Sequence, residues 1–497
     1  MIKKIVAAFL IWLIGGWPTI VFALPSGGQI VSGTGTIVET SATQLDINQN
    51  SSQLIATFQN FNTAANETVN VNQNHTSDTF LAKVLGTDPT LFFGKLNAKG
   101  QVFITNGSGV FFGPGSQIDV HGLVATTMDI SNQDFIDRNY RFTQNLENPL
   151  SSVINEGVIS ATSYVGLLAP AVENRGTIVT ASLGSIDLAS GTAATMDFTG
   201  DGLIQFEVTQ AVSGTVLDKD GNELEDRVSN TGLLHADGGQ IRMSAKDAGD
   251  VIRHVVNMEG MIKANSVVEK NGKVFLMGGD SGVVNVSGTI DASGDDAGEK
   301  GGQIVVLGEK VGLFDQAKIN ASGDAGGGEI LIGGEQQGAT AIEGQMNADF
   351  LYMADDVEIN ADALTNGDGG RIITWATDTN RAYANIYARG GALSGDGGFV
   401  EISGGKYFEI GQVPDVIAVN GTAGHWLIDP VGNDLSIVAG GGNTNINSAN
   451  PFATTNDVAS VGWNLIRAAL IAGASVTVTT TASGTMSESG NINVLTD

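Results

Sequence analysis

Most of the chain beyond residue 150 repeats one pattern: an apolar alternation ending in a small or acidic residue, a glycine-rich turn, and a second alternating run. The spacings of the four clear copies are 29, 40 and 27 residues, too irregular for one unit per copy unless turns carry insertions. The clear copies begin at Ile290, Ile319, Ile359 and Ile386, and fainter ones at Ile159, Ile178 and Leu233. Repetition at this scale predicts stacked, quasi-one-dimensional architecture.

The strand-like runs within each copy are short, as in Gln303–Leu307 and Glu329–Ile332. Such strands cannot close a sandwich, but stacked coil on coil each can pair in parallel with its equivalents and bury one continuous core. The sequence therefore predicts an all-β fold, a β-solenoid. At roughly 20 to 25 residues per coil and about 4.8 Å per coil, we expect about 20 coils.

One segment departs from the strand pattern. Apolar residues between Asn456 and Ala474 recur at helical spacing, and either Asn456 or Ser460 could cap a helix there. We therefore expect a short helix packed against the solenoid near its C-terminal end.

Composition narrows the function classes. The 497 residues include 24 Lys and Arg against 53 Asp and Glu, a net charge of −29, which makes nucleic acid and anionic membranes improbable ligands. The hydrophobic share of 42% argues against disorder, and 68 glycines fit a turn-rich rod. The chain has no cysteine, so it has neither disulfides nor thiolate zinc ligands.

The N-terminus predicts export. Lys3 and Lys4 precede an apolar run over Ile5–Ile14, which is followed by helix-breaking glycines and then by Val21-Phe22-Ala23. This order is typical of a secretory signal peptide. We place it at residues 1–23, with cleavage after Ala23.

The sequence contains no clear catalytic or metal-binding motif. The five histidines show no metal-like spacing, and acidic pairs such as Asp295-Asp296 and Asp355-Asp356 stand in glycine-rich turns with few basic residues nearby. Calcium binding or glycan cleavage by such carboxylates is less favoured than solvated turns. The sequence therefore predicts no enzyme, no cofactor and no metal site.

The segments Phe58–Gln73 (FQNFNTAANETVNVNQ) and Val84–Ser131 carry a resemblance. They are similar to the secretion domain of two-partner-secretion exoproteins, the filamentous-haemagglutinin-like family, and within it to high-molecular-weight adhesins. Phrases such as GHWLIDPVGNDLSI extend the likeness over almost all the mature chain. The family's Asn-Pro-Asn-Gly turn appears here as Asn106-Gly107-Ser108-Gly109, without the proline and the second asparagine.

The resemblance implies a right-handed parallel β-helix with an N-terminal capping secretion domain. We expect that domain at 24–200, further β-helix repeats at 201–430, and at 431–497 more β-helix with the short helix and an incomplete end. The residues expected to form the transporter-recognition and secretion motif are Asn106, Gly109, Phe112, Gly113 and Gly122, supported by Gly94 and Asn97.

The resemblance also implies partners. The family is exported through the periplasm and then through a dedicated outer-membrane β-barrel transporter, whose periplasmic domains recognise the secretion domain. We therefore expect an adhesin-type protein, secreted or held at the surface of a Gram-negative bacterium, whose rod binds a host-cell or bacterial receptor or glycan. The alternatives are the secretion and stalk region of a larger toxin or effector, or a haem-scavenging exoprotein.

Overall fold

The computed structural model describes residues 24–198, 204–247, 254–267, 270–430, 434–440, 452, 459–480 and 490–495. The expected signal peptide and its cleavage site at Ala23 lie outside these residues.

Short strands account for nearly all the regular structure, because alternating apolar residues separated by glycine turns favour strands over helices. The first part of the chain forms β1 (Gln29–Ser32), β2 (Gly35–Ser41), β3 (Gln44–Gln49), β4 (Gln53–Phe58), β5 (Thr68–Asn72), β6 (Thr79–Val84), β7 (Thr90–Phe92), β8 (Lys95–Ala98), β9 (Gln101–Asn106), β10 (Val110–Phe112), β11 (Gln117–Thr126), α1 (Asn132–Ile136), β12 (Arg141–Thr143), β13 (Ser152–Asn155), β14 (Val158–Ala169), β15 (Ala171–Asn174), β16 (Thr177–Thr180), β17 (Ser185–Ser190), β18 (Ala193–Phe198) and β19 (Ile204–Gln210). The middle part forms β20 (Asp226–Asn230), β21 (Leu233–His235), β22 (Gln240–Ala245), β23 (His254–Met258), β24 (Met261–Lys263), β25 (Lys273–Met277), β26 (Val283–Val286), β27 (Thr289–Asp291), β28 (Gln303–Leu307), β29 (Lys310–Leu313), β30 (Lys318–Asn320) and β31 (Glu329–Ile332). The last part forms β32 (Phe350–Met353), β33 (Glu358–Asn360), β34 (Arg371–Ala376), β35 (Thr379–Ala382), β36 (Asn385–Tyr387), β37 (Phe399–Gly404), β38 (Tyr407–Ile410), β39 (His425–Ile428), β40 (Leu435–Val438), β41 (Ala459–Gly462), α2 (Trp463–Ile471), β42 (Ser475–Val478) and β43 (Ile492–Leu495).

Three parallel ladders run along the rod and define three faces. The first face begins at β3 and β5 and continues through β21, β24, β27, β30, β33 and β36. The second face begins at β4 and β6 and continues through β22, β25, β28, β31, β34, β37 and β39. The third face is a sheet that runs from β7 to β38. This arrangement confirms the expected parallel β-helix.

The coils are fewer than the sequence analysis expected, and those beyond residue 233 are longer. Ile290, Ile319, Ile359 and Ile386 pair with one another in successive coils, so each copy of the repeat is one coil. In this part of the rod a coil takes 27 to 29 residues where no insertion occurs, whereas the coil from Ile159 to its partner Ile178 takes only 19. The third-face sheet has 11 strands in the described part of the chain. The sequence pattern revealed two strands per copy and missed the strand of the third face, such as β26 and β29.

The N-terminal end of the rod is closed by antiparallel pairing. β1 pairs with β4 and β2 pairs with β3 in antiparallel fashion, whereas β3 and β4 begin the parallel ladders of the coils that follow. The two first strands thus cover an end that would otherwise expose unpaired backbone groups.

The interior holds apolar stacks and a polar ladder that the sequence analysis missed. Asn155, Asn174 and Asn230 are fully buried at equivalent positions of β13, β15 and β20. Each side-chain amide donates to the next one along, Asn155 Nδ2 to Asn174 Oδ1 at 2.8 Å and Asn174 Nδ2 to Asn230 Oδ1 at 2.7 Å. Paired in this way, the amides avoid the cost of a buried unsatisfied polar group.

An extra layer covers the N-terminal part of the second face. It consists of α1 and an antiparallel sheet of β12, β18 and β19. Its aromatic side chains pack on apolar residues that point outward from the β-helix. Phe103 of β9 contacts both Phe135 and Tyr140, with ring centroids 5.3 and 5.2 Å away. The second face is therefore apolar on both sides where it is covered.

The short helix near the C-terminal end is present as α2, over Trp463–Ile471. The expected caps are not used: Gly462 occupies the N-cap without a side-chain hydrogen bond, Ser460 lies within β41, and Asn456 lies outside the described residues. The strand β41 continues to the helix, which leaves Ser460 too far upstream to cap it.

Asp187 links the extra layer to the rod. This fully buried carboxylate accepts a hydrogen bond from the Phe206 backbone N–H of β19 at 2.8 Å, and Arg242 Nε lies 3.7 Å away. Burial raises the pKa of Asp187 to about 6, against the opposing effects of Arg242 and the Phe206 hydrogen bond.

The pKa of Asp187 predicts a pH effect on stability. Because its pKa is higher in the folded protein than in the unfolded chain, the stabilisation it gives on protonation is complete at acid pH and lost as pH rises through about 6. From pH 7 to pH 4, the wild type should gain about 2 kcal/mol relative to Asp187→Asn. Urea unfolding of both proteins at the two pH values measures this gain, and parallel pH profiles would contradict it.

Candidate secretion site

The Asn106–Gly109 turn joins β9 to β10. The side chain of Asn106 is 1% exposed, and its Nδ2 donates to Asp88 O at 3.1 Å and to Thr90 Oγ1 at 2.9 Å. Its Oδ1 accepts from Ser108 N at 2.9 Å, and Gly109 N donates to Asn106 O at 3.0 Å. The asparagine therefore shapes the turn from inside.

Gly109 and Gly113 stand at opposite ends of β10 for different reasons. Gly109 has φ of 118°, a conformation that L side chains rarely adopt. A Cβ on Gly113 would come within 2.3 Å of the Phe93 ring. Between them, Phe112 is fully buried and packs on Phe92, with ring centroids 6.1 Å apart. These residues build the core and the turn.

Gly94 and Gly122 are sites of close approach. A Cβ on Gly94 would lie 2.3 Å from Glu67 O and 2.7 Å from Ala64 O, and Gly94 N donates to Thr63 Oγ1 at 2.9 Å. A Cβ on Gly122 would lie 2.6 Å from the ring of Tyr164. Neither position has room for a side chain.

Asn97 lies apart from the turn, on the exposed side of the first face. Its Nδ2 donates to Asn70 Oδ1 at 2.9 Å, and Asn70 Nδ2 donates to Asp46 Oδ1 at 2.8 Å. Hydrogen bonds from Asn70 and then Gln44 lower the pKa of Asp46. Of the seven expected residues, the structure brings together Asn106, Gly109, Phe112 and Gly113, in the turn and beside β10. Gly94 and Gly122 are close-approach glycines elsewhere in the rod, and Asn97 belongs to an exposed amide ladder on the first face.

The accessible feature beside the turn is a cleft of about 480 Å³ that the sequence analysis missed. Gly107 and Ser108 form one wall, and Leu85, which is 60% exposed, lies at another. A hairpin, in which Leu217 pairs with Glu223, completes the lining of the cleft. Its turn is stabilised by Asp218, whose Oδ1 accepts hydrogen bonds from Asp220 N and Asn222 N at 2.8 Å each. The signal in the sequence was the Asp-Gly-Asn turn at residues 220–222, which is typical of a hairpin.

The described ranges contain neither a cluster of potential metal ligands nor a helix that could span a membrane. Within them, no three His, Cys, Asp or Glu side chains come together as metal ligands. Within the same ranges, no helix combines the length and apolar character needed to cross a bilayer.

The family model of the TPS secretion domain matches residues 23–294. Two curated relatives, both heme/hemopexin-binding proteins of Haemophilus influenzae, are 26% identical over 353 and 274 residues. These matches include 69% and 51% of this chain but only 36% and 28% of the relatives, so the chain spans about a third of their length.

A solved structure supports the same conclusion. The crystal structure of the HMW1 secretion domain from Haemophilus influenzae superposes with a TM-score of 0.67 and 28% sequence identity. The match includes 82% of this chain and all of that domain. Since the family model alone matches more than half of the chain, the protein belongs to the two-partner-secretion exoproteins, the family defined by the TPS secretion domain.

Proposed function

We propose that the N-terminal coils, with the cleft beside the Asn106 turn, are recognised by the periplasmic domains of a dedicated outer-membrane β-barrel transporter. The observation that carries the proposal is the match of the TPS secretion domain to residues 23–294, which contain that turn. The cleft supports it, because it combines the exposed side chain of Leu85 with the polar turn at Ser108. Passage through the periplasm then leads to the cell surface or the medium.

Co-expression tests export. The full chain, produced in a Gram-negative host with and without the cognate transporter, should appear outside the cell only when the transporter is present. Immunoblots of medium, surface and periplasm measure the distribution, and a periplasmic reporter protein controls for lysis. Equal release without the transporter would contradict the proposal.

We propose further that the exported rod acts as an adhesin. The β-helix continues from β3 to β39 and presents long faces of side chains, and no metal-ligand cluster lies within the described residues. A rod of this kind displays binding surface away from the cell. A deletion strain should therefore attach to host cells or to other bacteria less than the parent and recover on complementation; unchanged attachment would contradict this role.

Haem or hemopexin binding is the second candidate, and the names of the two curated relatives favour it. The exposed imidazole of His75, 76% accessible, is one side chain that could reach a haem iron. Titration of the purified chain with haemin would show a saturable Soret shift if this candidate holds, and immobilised hemopexin would retain the protein. Absence of both, with attachment lost in the deletion strain, would leave the adhesin role.

A further inference from the structure

A long groove runs along the corner of the rod where the glycine-rich turns lead into the second face. It has a volume of about 1100 Å³ and extends from Gly272, just before β25, to Ser475 and Thr477 of β42. The strands beside it form one continuous ladder. Because neighbouring strands lie about 4.8 Å apart, the groove is on the order of 30 Å long. We call it the glycine groove.

The floor of the groove is a column of glycines, one from each coil: Gly272, Gly302, Gly328, Gly370, Gly398 and Gly424. A Cβ on any of the last five would lie 2.1 to 2.3 Å from the carbonyl oxygen of the floor glycine in the preceding coil. The stacking of the coils therefore accounts for these glycines, and it keeps the floor free of side chains. Any selectivity of the groove must come from its walls.

The backbone groups of the floor are already engaged. Each floor carbonyl accepts a hydrogen bond from the N–H that starts the strand of the next coil, as Gly302 O does from Glu329 N at 2.9 Å. From Gly302 onward, each floor N–H donates to a carbonyl of its own turn, as Gly302 N does to Ala292 O at 2.7 Å. An extended peptide therefore cannot add to this floor as a further strand, and a ligand has to be recognised by side chains.

One wall of the groove is formed by the first residues of successive strands, and its middle is a polar row. Gln303 Nε2 donates to Glu329 Oε2 at 2.7 Å, and Arg371 Nη1 donates to Glu329 Oε1 at 2.9 Å. The row thus presents an amide, a carboxylate and a guanidinium that hold one another in place. Sugar hydroxyls both donate and accept hydrogen bonds, so a wall that offers both kinds of group suits them.

Further along the same wall stands an aromatic ring. Phe399 is half-buried and packs edge to face on the imidazole of His425, with ring centroids 5.4 Å apart. Such a ring can take the C–H-rich face of a pyranose, because the face of an aromatic ring is electron-rich. The charged residues that line the groove nearly cancel, three cations against two anions: Lys273, Lys300 and Arg371 against Glu329 and Asp396. Since the whole chain carries a net charge of −29, a polyanion gains little attraction here.

We propose that the glycine groove binds an uncharged linear glycan in an extended conformation, of the kind that cellulose and mannan chains adopt. The length of the groove accommodates several sugar rings. A ring in such a chain advances by nearly the spacing of the coils, so that successive rings meet equivalent positions of the wall. The polar row binds hydroxyls and Phe399 packs on a ring face. The proposal rests on the adhesin role, for which it names the class of receptor.

Calorimetric titration of the full folded chain with cellohexaose, mannohexaose and chitohexaose tests the proposal. At least one of these uncharged hexamers should bind saturably and at least about tenfold more tightly than its own dimer, because the dimer reaches only a part of the groove. Binding of none of the three would overturn the proposal. So would tighter binding of a heparin hexasaccharide than of every uncharged hexamer, since that would make the groove a polyanion site.

Two variants assign the binding to the groove. Phe399→Ala removes the ring and Gln303→Ala removes the amide, and each should weaken binding of the hexamer at least about fivefold. Phe350→Ala is the matched control, since Phe350 is also a half-buried aromatic residue at the start of a strand, but on the third face; it should bind as the wild type. Circular dichroism shows which variants are folded. Unchanged binding by either folded groove variant would overturn the proposal, and Gln303→Ala keeps the test decisive if Phe399→Ala fails to fold.

The titration and the attachment assay together separate this proposal from the adhesin role. If no hexamer binds while the deletion strain loses attachment, the groove proposal is wrong and the adhesin role stands. If a hexamer binds through the groove while attachment of the deletion strain is unchanged, the adhesin role is wrong and the groove remains a glycan site.

Discussion

Replacing Gly94 by alanine is expected to unfold the N-terminal coils and to stop release of the protein. The added Cβ would lie 2.3 Å from Glu67 O and 2.7 Å from Ala64 O, and both obstacles are backbone atoms of the preceding coil, which cannot rotate away. The coil must separate from its neighbour, which also strains the hydrogen bond from Gly94 N to Thr63 Oγ1. We expect a loss of about 3 kcal/mol or more in the free energy of unfolding.

Gly107 provides the matched control for this variant. It lies in the Asn106 turn, and the nearest atom to its added Cβ is 3.7 Å away, an ordinary contact distance. Gly107→Ala should therefore change stability by less than about 1 kcal/mol. Urea unfolding and the quantity in the medium are the two measurements. A stable, normally released Gly94→Ala protein would show that the coils are less tightly stacked than the structure indicates.

Asn106→Asp should lower the free energy of unfolding nearly as much as Gly94→Ala, for an electrostatic reason. The substitution removes the amide that donates to Asp88 O and Thr90 Oγ1 and places a carboxylate in the same buried position. An unpaired buried charge facing a carbonyl oxygen is strongly unfavourable, so we expect about 2 to 4 kcal/mol of destabilisation near neutral pH. Part of this loss should be recovered at acid pH, where the carboxyl takes up a proton.

Asn97→Asp is the control, since Asn97 is exposed and bonds to Asn70 on the surface. It should change stability by less than about 1 kcal/mol. Circular dichroism and release into the medium, measured together, separate two explanations for Asn106. If Asn106→Asp is unfolded and retained, the residue acts through the fold. If Asn106→Asp is folded and still retained, the transporter recognises the turn itself, and the predicted destabilisation is wrong.

The sequence was sufficient to predict the architecture of the rod because its evidence was local and repeated. Each copy shows alternation and a glycine turn, and the isoleucines at 290, 319, 359 and 386 stand in one ladder. The number of coils was wrong because each coil also contains a third-face strand, such as β26 or β29, that the two-strand pattern did not include.

The candidate site was less predictable than the fold. The resemblance pointed to Asn106 and its glycines, but it could not distinguish a residue that faces a partner from one that holds a turn in place. That distinction depends on burial, and burial depends on chain far away in sequence. Leu217 reaches the cleft beside Asn106 from more than 100 residues further along the chain, a proximity that no local pattern contains.

The insertions all leave from the corners of the coils, and the coils on either side of them remain in register. The coil that begins at Ile319 is longer than its neighbours because it carries residues 334–347, yet Ile319 still pairs with Ile359 in the next coil. The asparagine ladder likewise joins Asn174 to Asn230 across 56 residues. Such a rod can acquire, lose or exchange surface loops during evolution without repacking its core. For the same reason, an engineer could graft a foreign epitope in place of residues 334–347 and expect the scaffold to carry it.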